Sequence, residues 1–260
     1  MDAIEQGSKL GAPELAQATM PDVYLALRRG VGDFRRSPVF GLIFAGVYVA
    51  VGWLMWAITA MTGQTYWLVL AVISFPLVGS FAAVGLYETS RRLEFGLAMD
   101  WHRIFGAVKG QGSRQLPWLS AVVVIIFLFW FFIAHMIFAL FMGLSTMTNV
   151  STSYDVYLTS NGLTMLAVGT AVGAVFALLI FAITVVGLPM VVDRDVDFVT
   201  AMISSFEVVT QAPVPMLTWA GIVAVLTFVA MLPGFLGLFI VLPILGHATW
   251  HLYRILIENA

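Results

Sequence analysis

Apolar residues in this chain gather in long unbroken runs, and the polar ones gather between them. A helix that crosses a bilayer needs roughly 20 mostly apolar residues, because the hydrocarbon core is ~30 Å thick and a helix rises ~1.5 Å per residue. The runs at 39–62, 66–87, 116–142, 163–192, 216–232 and 235–257 are read as spans. The last two come from dividing the uncharged stretch 213–246 at Leu232-Pro233-Gly234, because a Pro-Gly pair signals a turn. One long kinked helix, leaving five spans, is the alternative. The fold class expected is all-α: a polytopic membrane protein with six transmembrane helices in three hairpins, each preceded by a short cytoplasmic interfacial amphipathic helix.

Those short helices are read from the polar segments. Val23, Leu27, Val31 and Phe34 recur at helical spacing, while Asp22, Arg29, Asp33 and Arg36 make a polar stripe. A shift of 175 positions lays Asp22, Ala26, Pro38, Val39, Leu42, Ala45 and Gly46 on identical residues at Asp197, Ala201, Pro213, Val214, Leu217, Ala220 and Gly221. A third copy starts at Asp100, with Trp101, Ile104, Phe105 and Val108 as its apolar stripe and Pro117 opening the next span. The repeat units run over about 22–87, 100–192 and 197–257, inside one transmembrane domain, 21–260. Chance likeness among apolar segments is the competing explanation. Residues 1–20 are read as a flexible cytoplasmic tail; they lack the basic start and apolar core of a signal peptide.

Charge sets the orientation. With six spans, all twelve Lys and Arg residues lie on the N-terminal side, and none falls in 63–65, 143–162 or 233–234. With five, Arg254 would stand alone on the other side. Basic residues are retained in the cytoplasm, so both termini are placed there. Arg28, Arg29, Arg35 and Arg36 would attract anionic lipid.

Composition narrows the functional classes. The chain is 61% hydrophobic and 10% charged, against about 45–50% and 25% in soluble domains. A net charge of −2 offers no basic face to nucleic acid. The absence of cysteine excludes disulfides, thiolate metal sites and cysteine nucleophiles.

Three polar motifs stand out: Gly85-Leu86-Tyr87-Glu88-Thr89-Ser90-Arg91-Arg92-Leu93-Glu94, Val192-Asp193-Arg194-Asp195-Val196-Asp197 and Leu245-Gly246-His247-Ala248-Thr249-Trp250-His251-Leu252-Tyr253-Arg254. Together they resemble a bacterial family of integral membrane proteins of unknown function. The resemblance runs from about residue 20 to the end and implies an inner-membrane location. Some members carry the label of cytochrome c oxidase subunit I, which needs more histidine ligands than the four present here.

His247 and His251 share one face of the last span, four residues apart, and are candidates for a metal or an axial haem ligand. The competing reading makes them interfacial hydrogen-bonding groups beside Trp250 and Tyr253 in an aromatic belt. His135 is the ionisable group deep in a span, a candidate for function or for a carbonyl hydrogen bond to a neighbouring helix. Glu88, Arg91, Arg92, Asp193, Arg194, Asp195, Asp197 and Arg254 form a cytoplasmic ionic cluster, either tying the hairpins together or docking a partner. Glycines such as Gly41, Gly85, Gly169, Gly173 and Gly187 line a path or mark close helix contacts. No catalytic site, metal site or firm cofactor is assigned. The leading reading is a non-enzymatic accessory, assembly or scaffold component, contacting lipid and other membrane-complex subunits. A small transporter or channel for a neutral solute is the alternative, and a haem-binding membrane protein a further one.

Overall fold

The computed structural model of the protein describes residues 9–62, 67–112, 114–143 and 157–260, and the side chains of these except 9–10 and 67–78. The loop 63–65 and most of 143–162 lie outside the described residues. The helices are α1 (Met20–Arg36), α2 (Pro38–Thr62), α3 (Trp67–Glu94), α4 (Trp101–Gln111), α5 (Leu116–Met142), α6 (Ser160–Thr184), α7 (Gly187–Asp193), α8 (Phe198–Gln211), α9 (Pro213–Met231) and α10 (Leu238–Glu258). One two-residue parallel pairing joins β1 (Lys9–Leu10) to β2 (Arg194–Asp195).

The chain is all-α. Among the described residues, five stretches are long and apolar enough to cross a membrane: α2, α5, α6 continuing through α7, α9, and α10. Helix α3 has 28 residues, and its first twelve fall largely where side chains are not described. The uncharged stretch 213–246 is two helices rather than one kinked rod. Between Met231 and Leu238 the chain reverses through Gly234 and Phe235, whose φ angles are 61° and 69°. Trp53 Nε1 donates to the Gly234 carbonyl at 2.9 Å and pins the turn.

The expected helix over 163–192 is not continuous. It breaks after Thr184 and resumes at Gly187 as α7. The Val186 N–H donates to Ser205 Oγ at 3.0 Å instead of to its own helix, and Pro189 has no N–H to extend the ladder. A Cβ on Gly187 would lie 3.0 Å from the Ala201 carbonyl, so α7 and α8 pack backbone to backbone.

Short helices do precede α2, α5 and α9. Helices α1 and α8 each end one residue before a proline that opens the next helix, and the linking residues share a conformation: Ser37 at φ −139°, ψ 57° and Ala212 at φ −130°, ψ 64°. Helices α1 and α4 also pack on neighbouring helices. Asp22 and Asp33 of the supposed polar stripe are buried with Val23, Ala26 and Gly30, because α1 packs on α10. In α4, Ile104 is fully buried against Phe40, Phe44 and Leu86, and Trp101 stacks on Phe40 at 3.9 Å. Each helix thus turns part of its stripe to neighbouring helices, while Phe105 stays exposed. The free tail over 1–20 is corrected for its described part: Gly11 N–H donates to Asp195 O, Ala16 N–H donates to Leu256 O at 2.9 Å, and Ala18 is buried. At the start of α1, the Asp22 carboxylate accepts from both the backbone N–H and the hydroxyl of Thr19, a cap for a helix with Pro21 in its first turn.

Residues 122–181 form a compact unit of their own, made of most of α5 and α6. Within it Gly173 accommodates the Trp130 ring, 3.0 Å from where a Cβ would stand, while Gly169 has open space. Phe129, Phe132 and Leu140 are more than 60% exposed, an apolar surface suited to lipid.

Gly30 is the closest point of the α1–α10 packing: a Cβ there would stand 2.6–2.7 Å from the Ala248 nitrogen and Cβ and the Ile244 carbonyl. The Gly30→Ala variant is expected to lose ~1–3 kcal/mol through overpacking, read as a lower melting temperature in detergent. A Gly32→Ala control, with nothing within 4 Å, is expected to be neutral or stabilising.

Candidate functional site

The three polar motifs meet. Their shared ground is the ends of α3, α7 and α10, where the sequence leaves its apolar runs and must settle charge at little exposure. Glu88, 3% exposed, takes Arg91 Nε at 2.8 Å and Arg92 Nε at 2.9 Å. Arg92 also donates to the Ala98 carbonyl at 2.6 Å, which fastens the turn after α3. Glu94 ends the helix and accepts from Trp250 Nε1 and Arg254 Nε, each at 2.9 Å. Those two donors are four residues apart on one face of α10, so a single carboxylate reaches both. Asp193, at the end of α7, accepts from the Tyr253 hydroxyl at 3.0 Å and lies 3.6 Å from Arg254. Arg91 also lies in the fields of Asp193 and Glu94, which joins the two groups of charges. Arg254 stands over the Phe95 ring at 5.3 Å.

The histidines belong to the same centre. His247 Nδ1 and the Ser90 hydroxyl are 2.8 Å apart, and both residues are fully buried. His251 Nε2 and Asp33 Oδ2 are 2.6 Å apart, again both buried. The aromatic-belt reading is corrected: Trp250 and Tyr253 have no exposed surface and pack inside, Trp250 against Tyr87. Ser90 and His247 have the donor–acceptor relation of a nucleophile and a base. Both are completely buried in this arrangement. Among the described residues no three His, Asp or Glu side chains converge as metal ligands.

Two members of the expected cluster lie elsewhere. Asp195 pairs with Arg114 at 2.8 Å on the surface. Asp197 caps α8, accepting from the Thr200 hydroxyl at 2.6 Å and its N–H at 2.9 Å. Arg194 Nε lies 3.9 Å from Asp193. His135, in the separate unit, is exposed; its Nδ1 lies 2.8 Å from Phe131 O on its own helix, and its ring sits against that of Phe131. Among the described residues, the bond shown for it is to its own helix and not to a neighbouring one. Asp33, Glu94 and Ser90 were not singled out as site residues, although Glu94 and Ser90 stand inside the first motif. The usable signal was pairing by spacing, with Trp250 and Arg254 one turn apart and in want of one acceptor.

Residues 68–193 match the family model described as predicted integral membrane protein (DUF2189). The match covers the first motif and reaches Asp193, and the family's function is unknown. No curated protein and no solved structure matches the chain. The protein is thus an integral membrane protein, multi-pass by its apolar helices.

Removing Glu94 leaves the buried Trp250 indole N–H without its acceptor and Arg254 with Asp193 alone. Glu94→Ala is expected to cost ~2–4 kcal/mol, measured as thermal unfolding in detergent, whereas Asp195→Ala on the surface pair is expected to cost less than about 1 kcal/mol. The hydrogen bond from the Thr200 hydroxyl, then that from its N–H, holds the Asp197 carboxyl below its ordinary 3.8. The ionised cap therefore stabilises α8 above the unfolded value and is lost as pH falls through the lower folded one. Asp197→Ala at neutral pH is expected to speed amide exchange at Thr200 about fivefold, the ~1 kcal/mol of a lost N-cap.

Proposed function

We propose that the protein is a non-catalytic scaffold of the bacterial inner membrane, an accessory or assembly component of a membrane complex. The observation that carries this reading is the polar centre. Its carboxylates are satisfied by side chains of the same chain, from Glu88 with Arg91 and Arg92 to Glu94 with Trp250 and Arg254. A buried ionic group stabilises only when well paired, and carboxylates paired in this way serve to fix helix ends. It supports a rigid platform whose outward surfaces are left for partners.

Six spans with both termini in the cytoplasm complete the proposal. Helix α3 supplies the sixth: 67–87 carries no charged residue. The equal geometry of Ser37 and Ala212 ahead of Pro38 and Pro213 supports an internal repeat. The glycines considered for a solute path favour packing instead: Gly41 sits against Pro243, Gly85 against Phe44 and Gly187 against Ala201. His247 and His251 each bond a buried partner through one ring nitrogen, while the other ring nitrogen is buried with no partner among the described residues.

Purification of the tagged full chain from its native membrane in mild detergent, with mass spectrometry of what accompanies it, tests the scaffold. A stoichiometric partner is expected, and the chain recovered alone would sink the reading in favour of transport. Orientation has its own test, since the chain has no cysteine. Asp155→Cys is expected to react with an impermeant maleimide added outside the cytoplasmic membrane, and Glu5→Cys only after lysis; the reverse pattern would invert the topology.

A further inference from the structure

A recess of about 560 Å³ opens between α1, the end of α3 and the end of α10. Arg28, Arg29 and Arg36 line it from α1, around Gly32, and the buried Asp33–His251 pair lines it as well. With Glu94 and Glu258 the formal charges number three of each sign, but they are not equally engaged. Asp33 faces His251 at 2.6 Å, Glu94 accepts from Trp250 and Arg254, and Glu258 meets Arg29 at 3.5 Å. Arg28 and Arg36 have no hydrogen bond, ion pair or ring contact among the described residues. The formal charges of the recess balance, and its two unengaged guanidiniums have forked donors that suit a phosphate oxyanion.

The backbone between them leaves room. Arg28 and Arg36 are ~12 Å apart along the axis, within reach of one ligand for two long side chains. Gly32 lies midway, and a Cβ there would meet nothing within 4 Å. A phosphate group can therefore approach the helix where any side chain would stand in its way. The source of the phosphate is marked by the apolar residues beside it. Tyr24 and Leu25 are 70% and 36% exposed one turn before Arg28, and Leu25 and Leu93 also line the recess. A free phosphate gains nothing from that shoulder, whereas a phospholipid carries glycerol and acyl carbons directly behind its phosphate.

We propose that this recess binds the phosphate headgroup of an anionic membrane phospholipid, held by Arg28 and Arg36 over Gly32. The proposal rests on the scaffold reading only for the basic face meeting the cytoplasmic leaflet. A failed search for partner subunits would leave it standing.

The test is a titration of the full-length, delipidated protein in non-ionic detergent with phosphatidylglycerol, counting bound lipid by native mass spectrometry. Arg36→Gln is expected to weaken binding about tenfold or more, as for loss of a charge-assisted donor. Arg35→Gln, the adjacent arginine outside the recess, is expected to cost no more than the about fivefold of any cation near headgroups. Gly32→Leu keeps every charge, fills the recess and is expected to abolish binding at an unchanged melting temperature. Full binding by Gly32→Leu, or equal losses from Arg35→Gln and Arg36→Gln, would reduce the effect to diffuse attraction and overturn the site. Displacement of the lipid by an equal concentration of inorganic phosphate would overturn the lipid assignment and leave a free-anion site.

Discussion

Helices α1 and α10 touch at a separation that only a glycine allows, and the polar centre depends on that contact. At Gly30 the backbone of α1 meets Ala248 and Ile244 with no room for a Cβ. One turn further along both helices, the same approach brings Asp33 to within 2.6 Å of His251. The imidazole then has a carboxylate in a place with almost no water, and α10 gains a neighbour on one side of its last turns. Helix α3 covers another side, where Gly246 takes the Leu86 side chain, and α3 in turn takes the Phe44 ring of α2 at Gly85. Small residues set the distances; polar residues then bond across them.

This order explains why charge is affordable here at all. An isolated buried ion loses several kcal/mol of hydration, and only good pairing recovers it. The ends of the spans are the places where such groups are least costly, since longer side chains reach the interface from there. Glu88, Glu94, Asp193 and Asp33 each lie at or near a helix end, and each meets a donor from this chain. The donors come from α3 and α10, so the pairs act between elements as well as along them. Lipid cannot drive helices together by hydrophobic burial, which gives interhelical hydrogen bonds and close glycine contacts a larger share of the work.

Much of this was legible in the order of residues. The long apolar runs, the turn at Pro233-Gly234 and the short helices ahead of Pro38 and Pro213 follow from length, turn chemistry and helical spacing, which are local properties. The grouping of Glu88, Arg91, Arg92, Asp193 and Arg254 followed from their places at the ends of apolar runs. The role of α1 did not. Its periodicity separates an apolar face from a polar one, yet the buried set runs Asp22, Val23, Ala26, Gly30 and Asp33 and cuts across both. A hydrophobic stripe records which side avoids water; it does not record that a small residue and a paired acid also suit a tight helix contact. For the same reason Trp250 and Tyr253 looked like an interfacial belt and are interior. Their polar tips match a buried carboxylate as well as they match a headgroup layer.

The sequence by itself determined the medium and the elements, because a run of twenty apolar residues has one stable solvent and a proline or a Pro-Gly pair has few places in a helix. It also determined which groups could ionise and at which helix ends they stand. Tertiary structure alone decided who pairs with whom. Glu94 with Trp250 and Arg254, Ser90 with His247 and Asp33 with His251 are separated by 156, 160, 157 and 218 positions. No local preference reaches across such distances, and the choice rests on which helices lie side by side and how closely their backbones approach.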